Sequence, residues 1–337
     1  MYKRQVHNYP HCWRTDKPIL YYPLDSWFIR STAAKERMIE LNRTINWKPA
    51  STGTGRFGKW LENLNDWNLS RSRYWGTPLP IWRSEDGEET CIGSVEELYA
   101  EIEKAVAAGL MASNPLKDRG FVPGDYSLDN YDKIDLHRPF VDEVVLISPT
   151  GKPMKRETDL IDVWFDSGVT HYTVMRGSHA DELAWPADLY LEGSDQHRGW
   201  FHSSLLVAEG TRNVPPYKAV LTHGYVVDGD GRKMSKSIGN VIAPQELIDK
   251  YGAEIVRLWV SSVEYREDIR ISDQILGRLV DAYRRIRNTC RFILGTINDL
   301  TRADLLPLDQ LLPLDRYALH AAAQVHDRVQ DAYMTYD

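Results

Sequence analysis

The sequence has few cysteines. Of its 337 residues only three are cysteine, Cys12, Cys91 and Cys290, and they are far apart along the chain. An odd number of widely spaced cysteines favours reduced thiols over a disulfide framework. The sequence also contains no Cys-x-x-Cys pair with which a zinc site could begin.

Long apolar runs and an excess of basic charge are missing as well. No stretch approaches the roughly 20 apolar residues of a membrane-spanning helix, and Met1–Gln5 lacks the apolar core of a signal peptide. The formal net charge is −7, with 26% charged residues of mixed sign, which argues against a nonspecific nucleic-acid binder. We therefore expect a soluble cytoplasmic protein without a membrane partner. The length of 337 residues predicts about two domains, and the 42% hydrophobic content is enough for a folded core.

The middle of the chain is typical of parallel α/β units, because short apolar runs alternate with helical patterns. Four runs are predicted to be strands: Val144–Ile147, Asp162–Phe165, Leu189–Glu192 and Ala219–Thr222. The third run leads through Gly193–Gln196 into a predicted helix that carries Trp200. Strand–loop–helix junctions are where α/β folds place their ligands. The predicted fold class is therefore α/β, followed by an all-helical part.

Other segments are predicted from local patterns alone. Ser94 and Glu97 form a capping box at the start of a helix that ends near Gly109. Further helices are expected around Trp60 after a Thr52–Gly55 loop, from Pro244 as an N1 proline, over Ile275–Ile297, and from about Asp315. Ile19–Leu24 and Ser26–Ile29 indicate edge strands, residues 113–138 indicate a long surface connection, and the sheet is expected to end before Pro244.

The most specific chemical signal is Gly231-Arg232-Lys233-Met234-Ser235-Lys236-Ser237, here called the lysine loop. Two lysines flank a serine in a loop that follows the predicted strand Ala219–Thr222. Such a loop can close over a triphosphate and supply positive charge where negative charge grows as pyrophosphate leaves. A bare Lys-x-x-Lys, by contrast, is usually a solvated surface turn.

Four more strings accompany the lysine loop: Tyr9-Pro10-His11-Cys12-Trp13-Arg14, Ser70-Arg71-Ser72-Arg73-Tyr74-Trp75-Gly76-Thr77-Pro78-Leu79-Pro80, Asp162-Val163-Trp164-Phe165-Asp166-Ser167-Gly168 and Leu191-Glu192-Gly193-Ser194-Asp195-Gln196-His197-Arg198-Gly199-Trp200-Phe201. Together and in this order they resemble class I aminoacyl-tRNA synthetases, and among these the isoleucyl-tRNA synthetase family. The resemblance implies five segments: an exit from the editing insertion (1–50), a connective region (51–143), the second half of a Rossmann-like catalytic domain (144–242), a stem-contact junction (243–272) and the start of a helical anticodon-binding domain (273–337).

The resemblance also implies an activity. Isoleucine would be activated by ATP, with Mg²⁺, to isoleucyl-adenylate and then transferred to tRNA(Ile). By the same resemblance Lys236 contacts phosphate with support from Lys233 and Ser235. The residues implied to bind the adenylate are Glu192, Gly193, Asp195, Gln196, His223 and Gly224, and those implied to line the amino-acid pocket are Trp164, Gln196 and Trp200. Without the resemblance, Asp195 is equally explained as a helix cap and isolated tryptophans as core residues.

The sequence also departs from the complete family. No His-x-Gly-His is present, so the first half of the ATP site, part of the amino-acid pocket and the body of the editing domain are missing. We therefore expect a fragment with little or no activity alone, whose partner is the missing N-terminal half. Thr15 stands where some family members have a zinc-binding cysteine, and the Arg83–Gly87 hairpin has only Cys91 nearby. We predict that the chain binds no zinc.

Two other functions stay open. The lysine loop alone does not distinguish the isoleucyl from another aliphatic synthetase such as the valyl enzyme, although the tryptophan-bearing strings favour isoleucine. The chain could also be a tRNA-binding or assembly module without catalysis. Four arginines accompany the C-terminal helical stripe, where a charged outer face explains them better than tRNA contact: Arg284, Arg285, Arg287 and Arg291.

Overall fold

The computed structural model describes residues 8–12, 15–177, 180–236 and 238–337; Met1–Gln5, Trp13, Arg14 and Ser237, named above, lie outside the described residues. The strands are β1 Phe28–Ile29, β2 Asn46–Lys48, β3 Trp67–Asn68, β4 Ser70–Arg71, β5 Ile81–Ser84, β6 Glu89–Cys91, β7 Val145–Ile147, β8 Pro153–Arg156, β9 Leu160–Ile161, β10 Ala187–Gly193, β11 Tyr217–His223, β12 Val226–Val227 and β13 Ile269–Arg270. The α-helices are α1 Lys35–Asn42, α2 Gly58–Glu62, α3 Val95–Ala107, α4 Pro115–Asp118, α5 Leu128–Tyr131, α6 Val163–Gly168, α7 Thr170–Thr173, α8 Trp200–Arg212, α9 Pro244–Tyr251, α10 Ala253–Ser261, α11 Asp273–Thr296 and α12 Pro313–Thr335.

The chain divides into two compact units. Unit 1 comprises Met1–Lys35 and Leu64–Thr170, and unit 2 comprises Glu36–Asn63 and His171–Asp337. Each unit is therefore built from two separate stretches of sequence. The five segments implied by the resemblance follow family motifs rather than compactness, and their boundaries stay predictions.

Unit 1 is built on an antiparallel sheet with the strand order β6-β5-β8-β7. Trp82 on β5 is fully buried and its indole N–H donates to the carbonyl of Val144 at 2.9 Å. Helix α3 packs against this sheet and begins as predicted, because the Ser94 hydroxyl accepts from the Glu97 amide at 3.0 Å. The Glu97 carboxylate reaches back to the amide of Gly93 at 2.7 Å, one residue before the expected partner.

Two strand predictions in unit 1 need correction. The predicted strand Asp162–Phe165 is wrong, because the Asp162 carboxylate accepts from the Trp164 amide at 3.2 Å and caps helix α6. Only Leu160–Ile161 before it is a strand. Val145–Ile147 is a strand within the predicted run, but it pairs antiparallel to β8, so it is not part of a parallel α/β unit.

Two loop and edge predictions in unit 1 also differ from the structure. Residues 113–138 include the short helices α4 and α5, and Leu116 and Phe121 from this stretch are buried in the core of unit 1. The segment is therefore a structured cover rather than only a surface connection. In the described structure Ile19–Leu24 forms no strand, whereas the two-residue strand β1 lies within the predicted Ser26–Ile29.

Unit 2 contains the parallel sheet β10-β11-β2, in which the predicted strands Leu189–Glu192 and Ala219–Thr222 are confirmed and extended. Phe201 on α8 is fully buried and contacts the ring of Trp47 on β2. The predicted loop Thr52–Gly55 is wrong, because Thr52–Phe57 is a π-helix that runs into α2. Its Gly53 is closely approached by Trp47: a Cβ there would lie 2.2 Å from that ring.

The remainder of unit 2 follows the sheet. Pro244 occupies the first turn of α9, as predicted, and α9 and α10 share a small core with Trp259 and Leu276. The prediction that the sheet ends before Pro244 is confirmed for the sheet β10-β11-β2; β13, after Pro244, pairs parallel with β12 in a separate two-stranded sheet. The two long C-terminal helices are confirmed as α11 and α12. Among the described residues, no helix has the length and apolar character needed to cross a membrane.

Candidate active site

The candidate site lies at the carboxyl ends of β10 and β11 in unit 2. These strands are parallel, and their register pairs Glu192 with Thr222 and Gly193 with His223. The predicted adenylate-binding residues after each strand therefore emerge at the same sheet edge, where α/β folds bind ligands.

Gly193–Gln196, here called the adenylate loop, turns sharply away from β10 into a 3-10 helix, Ser194–Arg198. A Cβ on Gly193 would lie 2.8 Å from a carboxylate oxygen of Asp195, so glycine lets this carboxylate fold back over the strand end. The interpretation of Asp195 as a helix cap is wrong, because the N-cap of α8 is Gly199 and that of the 3-10 helix is Gly193.

Two of the three predicted pocket residues lie together. The Gln196 side-chain oxygen accepts from the backbone amide of Trp200 at 3.1 Å, at the start of α8. The Trp200 ring stacks on Tyr190 of β10, with centroids 3.9 Å apart and planes at 10°. The stack orients the indole, and the Gln196 bond holds the backbone from which it projects. Trp164 belongs to unit 1, where it lies in the first turn of α6 with 40% of its surface exposed.

Gly224 follows β11 and is closely approached by another segment of unit 2. Its amide donates to the carbonyl of Tyr265 at 2.9 Å, and a Cβ at this position would lie 2.3 Å from backbone atoms of Glu267. Next to it is a cavity of about 260 Å³, lined among others by Thr52, Arg56, Ser194, Thr222, Gly224 and Arg266. The side chain of His223 is half-buried at this edge, and its Nδ1 lies 2.7 Å from the carbonyl of Gly224.

The lysine loop begins beside the same edge. Lys233 forms an isolated antiparallel bridge with Val227, and its ammonium lies 4.2 Å from the centroid of the Tyr225 ring. The Ser235 hydroxyl accepts from the amide of Ile238 at 3.3 Å. Lys236 is exposed, and within the described part of the chain no partner of its ammonium is found. The loop therefore presents at least one cation that no described group engages.

Tyr225 joins the two loops. The pKa of its hydroxyl is raised, first by hydrogen bonding to the Asp195 carboxylate and then by burial. Lys233 meanwhile rests on the face of the same ring, in a cation–π contact. One side chain thus neighbours both the acidic group of the adenylate loop and a cation of the lysine loop.

Comparisons with known proteins identify the family of the chain. The family model described as tRNA synthetases class I (I, L, M and V) matches residues 14–272. The chain belongs to the class I tRNA synthetases. It is 53% identical to an isoleucine–tRNA ligase of Bacteroides fragilis, over 99% of this chain and 30% of that protein. It is 63% identical to the isoleucine–tRNA ligase of Bacteroides thetaiotaomicron, over 77% of this chain and 23% of that protein.

A solved structure shows the same fold. Mycobacterium tuberculosis methionyl-tRNA synthetase in complex with methionyl-adenylate matches with a TM-score of 0.60 and 16% identity, over 96% of this chain and 50% of that one. The class I fold is therefore confirmed, with the parallel sheet of unit 2 as its Rossmann-like part. The chain spans about 30% of the length of the first curated relatives, so the activity, substrates and partners of the whole enzyme are taken up below as proposals.

Sequence reasoning missed three residues of this synthetase site. Tyr225 contacts both loops, and its position directly after His223-Gly224 is the only signal that pointed to it. Asp228 and Asn240 lie before and after the lysine loop and bond to each other at 2.9 Å. The hydrogen bond from Asn240, with further ones from Arg232 and Asp230, lowers the pKa of Asp228 to about 2, so this carboxylate is ionised at neutral pH.

Proposed function

We propose that this class I chain carries the nucleotide-binding and lysine-loop part of an isoleucine–tRNA ligase. The reaction would join isoleucine to ATP as isoleucyl-adenylate and then transfer the acyl group to tRNA(Ile). The similarity to isoleucine–tRNA ligases supports the substrate. The observation that carries the proposal is that Tyr225 lies beside both loops: the Lys233 ammonium lies 4.2 Å from the centroid of its ring, and the Asp195 carboxylate raises the pKa of its hydroxyl.

The chemistry assigned to these residues follows from their groups. In adenylate formation an isoleucine carboxylate oxygen bonds to the α-phosphorus, the bond to the β-phosphate oxygen breaks, and pyrophosphate leaves with the electron pair. Lys236, supported by Lys233 and Ser235, would stabilise the charge that grows on the leaving phosphates. No covalent enzyme intermediate is needed, so the contribution of the chain is positioning and electrostatics.

The adenylate would be held at the sheet edge. Asp195 and the exposed carboxylate of Glu192 are suited to accept the ribose hydroxyls, and Gly193 permits close approach of the ligand to the backbone. His223 and Gly224 would lie beside the adenine. Gln196 and Trp200 are proposed to line the isoleucine pocket, with the Gln196 amide at the polar end of the amino acid. The role of Trp164, in unit 1, stays a prediction from the resemblance.

The metal predictions are neither confirmed nor contradicted. In the described part of the chain no three His, Cys, Asp or Glu side chains converge in a way that could hold a metal ion. Magnesium is therefore proposed only as the companion of ATP, with no residue and no step assigned to it. The prediction that the chain binds no zinc likewise stays a prediction.

Isoleucine-dependent exchange between ATP and pyrophosphate tests the proposal. We expect little exchange from the chain alone, and restored exchange when the upstream half of the synthetase is supplied in trans. Exchange should depend on isoleucine much more than on valine. Lys236→Ala should lower the rate by about 10²–10³-fold, as the loss of one charge-stabilising group does in other enzymes. Lys250→Ala is the matched control, because that lysine lies on α9, outside the loop, and is paired with Asp273 of α11.

The outcomes separate the alternatives. Exchange with valine but not isoleucine would contradict the substrate assignment, and full activity of the chain alone would contradict the need for a second half. If the two halves form a complex that binds tRNA but gives no exchange, the non-catalytic tRNA-binding module becomes the better description. An unchanged rate for Lys236→Ala would remove the lysine from its proposed role.

A further inference from the structure

The carboxylate of Asp228 accepts several hydrogen bonds from the segment that contains the lysine loop. Asp228 is only 8% exposed, and it ends the short parallel pairing of β12 with β13. Its Oδ1 accepts from the amides of Asp230 at 3.1 Å and Arg232 at 2.8 Å, and its Oδ2 accepts from the Arg232 side chain at 3.1 Å. One buried carboxylate thus anchors the first half of the loop to a strand of the unit.

Asn240 performs the matching task at the other end. Its amide nitrogen donates to Oδ2 of Asp228 at 2.9 Å and to the carbonyl of Lys233 at 3.4 Å. Its amide oxygen accepts from the backbone N–H of Ser235 at 2.9 Å. The side chain of Asn240 therefore touches the backbone on both sides of Met234, and its bond to Asp228 closes the loop at its base.

The chain reverses direction at the two ends of this closed segment. Gly231 and Gly239 have φ values of +83° and +74°, in the left-handed region that glycine adopts without strain. The hydrogen bonds of Asp228 and Asn240 reach each other, backbone atoms of the segment and the arginine side chain. Neither of them engages the lysine ammonium groups: that of Lys233 lies over the ring of Tyr225, and Lys236 is exposed.

We propose that Asp228 and Asn240 are positioning residues: they clamp the base of the lysine loop so that its two ammonium groups are arranged for a triphosphate before it binds. This inference rests on the proposed function. A loop that is already ordered loses less conformational entropy when it engages the substrate, and small misplacements of a charge-stabilising group lower the rate strongly. Neither residue touches the nucleotide in this scheme, so both act through Lys233 and Lys236.

Amide hydrogen exchange of the full chain without nucleotide tests the clamp itself. Asp228→Asn keeps the shape but places an amide where the carboxylate accepts several donors, and Asn240→Ala removes the bonds to Ser235 and Lys233. We expect hydrogen exchange of the amides in residues 230–236 and 238–240 to rise by at least about tenfold in both variants, because these amides would open locally. Asp230→Asn is the matched control: the same change in the same loop, at an exposed side chain whose one partner in the described part of the chain is Arg232. Equal hydrogen exchange of these amides in Asp228→Asn, Asn240→Ala and Asp230→Asn would overturn the clamp.

Kinetics with the upstream half supplied in trans test the positioning role. The rate constant for ATP–pyrophosphate exchange should fall by about 10–100-fold in Asp228→Asn and Asn240→Ala, with an unchanged KM for isoleucine. The double variant Asp228→Asn with Asn240→Asp restores one donor–acceptor pair at the base, so part of the rate should return. The positioning role would be overturned if hydrogen exchange shows a loosened loop in Asp228→Asn and Asn240→Ala while their ATP–pyrophosphate exchange rates equal that of Asp230→Asn.

The two readouts also separate this inference from the proposed function. If the reconstituted wild-type protein gives no isoleucine-dependent ATP–pyrophosphate exchange, the proposed function fails, and the positioning role for that reaction fails with it. The hydrogen-exchange comparison still decides whether the clamp exists.

Discussion

His202 on α8 gives unit 2 a specific sensitivity to acid. The imidazole is only 8% exposed, its ring meets Trp60 edge to face at 5.7 Å, and among the described residues its Nε2 has no hydrogen-bond partner. Burial lowers the pKa of His202 from 6.5 to about 4. The folded protein therefore keeps this side chain neutral at a pH where the unfolded chain is already protonated.

The sign and size of the effect follow from this difference. Between pH 6.5 and 4 the unfolded chain binds a proton that the folded chain does not, so the free energy of unfolding falls as the pH falls. With these two pKa values, lowering the pH from 8 to 5 reduces the free energy of unfolding by about 2 kcal/mol through His202 alone. His171, whose pKa is also lowered to about 4, by burial and by the nearby Arg212, adds a similar loss.

Hydrogen exchange of amides in α8 and β11 measures this loss locally, without requiring the two units to unfold together. In the wild type the opening free energy of these amides should fall by about 4 kcal/mol between pH 8 and 5, after correction for intrinsic exchange. His202→Phe keeps an aromatic ring against Trp60 and should halve this fall. His320→Gln on the exposed face of α12 is the control and should leave it intact. A His202→Phe protein with the full wild-type fall would refute the reasoning.

Two further predictions concern close packing. Gly224→Ala should destabilise the contact with residues 265–268 by about 1–3 kcal/mol, because its Cβ would lie 2.3 Å from backbone atoms of Glu267. Faster hydrogen exchange of the amides at positions 224 and 269 measures this loss. The control is Gly210→Ala on α8, whose Cβ would meet no atom within 4 Å, and it should be neutral or slightly stabilising. In unit 1, Arg156→Ala should lower the free energy of unfolding by about 3 kcal/mol. The Arg156 side chain is only 1% exposed, and its guanidinium pairs with Asp142 and donates to the carbonyls of Leu79 and Asp159. Exchange of β5 and β8 amides reports that loss, and Lys104→Ala, at an exposed ion pair on α3, should cost less than about 1 kcal/mol. A loss no larger in Arg156→Ala than in the lysine variant would contradict the second prediction.

The sequence was sufficient for features whose signal is local. Ser94 with Glu97 predicted the start of α3, Pro244 predicted the start of α9, and the runs around Leu189 and Ala219 predicted the two strands that carry the site. Each of these signals is set by neighbours within a few residues. The motifs also predicted which residues gather at the sheet edge, because parallel strands end on the same side.

The errors arose where a short apolar pattern has two meanings. Asp162–Phe165 reads as a strand by its residue types, yet Asp162 is a good helix cap, and its interaction with the Trp164 amide decides in favour of α6. Val145–Ile147 is equally apolar in a parallel or an antiparallel sheet, so the pattern alone did not give its orientation. The Thr52–Gly55 glycines indicated a loop, but Gly53 serves close packing against Trp47 within a helix.

The residues that sequence reasoning missed share one property: each acts through a partner that the linear motif does not contain. Asp195 and Lys233 belong to different strings, and the sequence gives no reason to connect them, since the connection is the ring and hydroxyl of Tyr225. Asp228 and Asn240 flank the lysine loop rather than belong to it, and their importance depends on a 2.9 Å bond across twelve residues of chain. A motif identifies the groups that meet the substrate, whereas the geometry that makes them effective is set by tertiary contacts that only the folded unit shows.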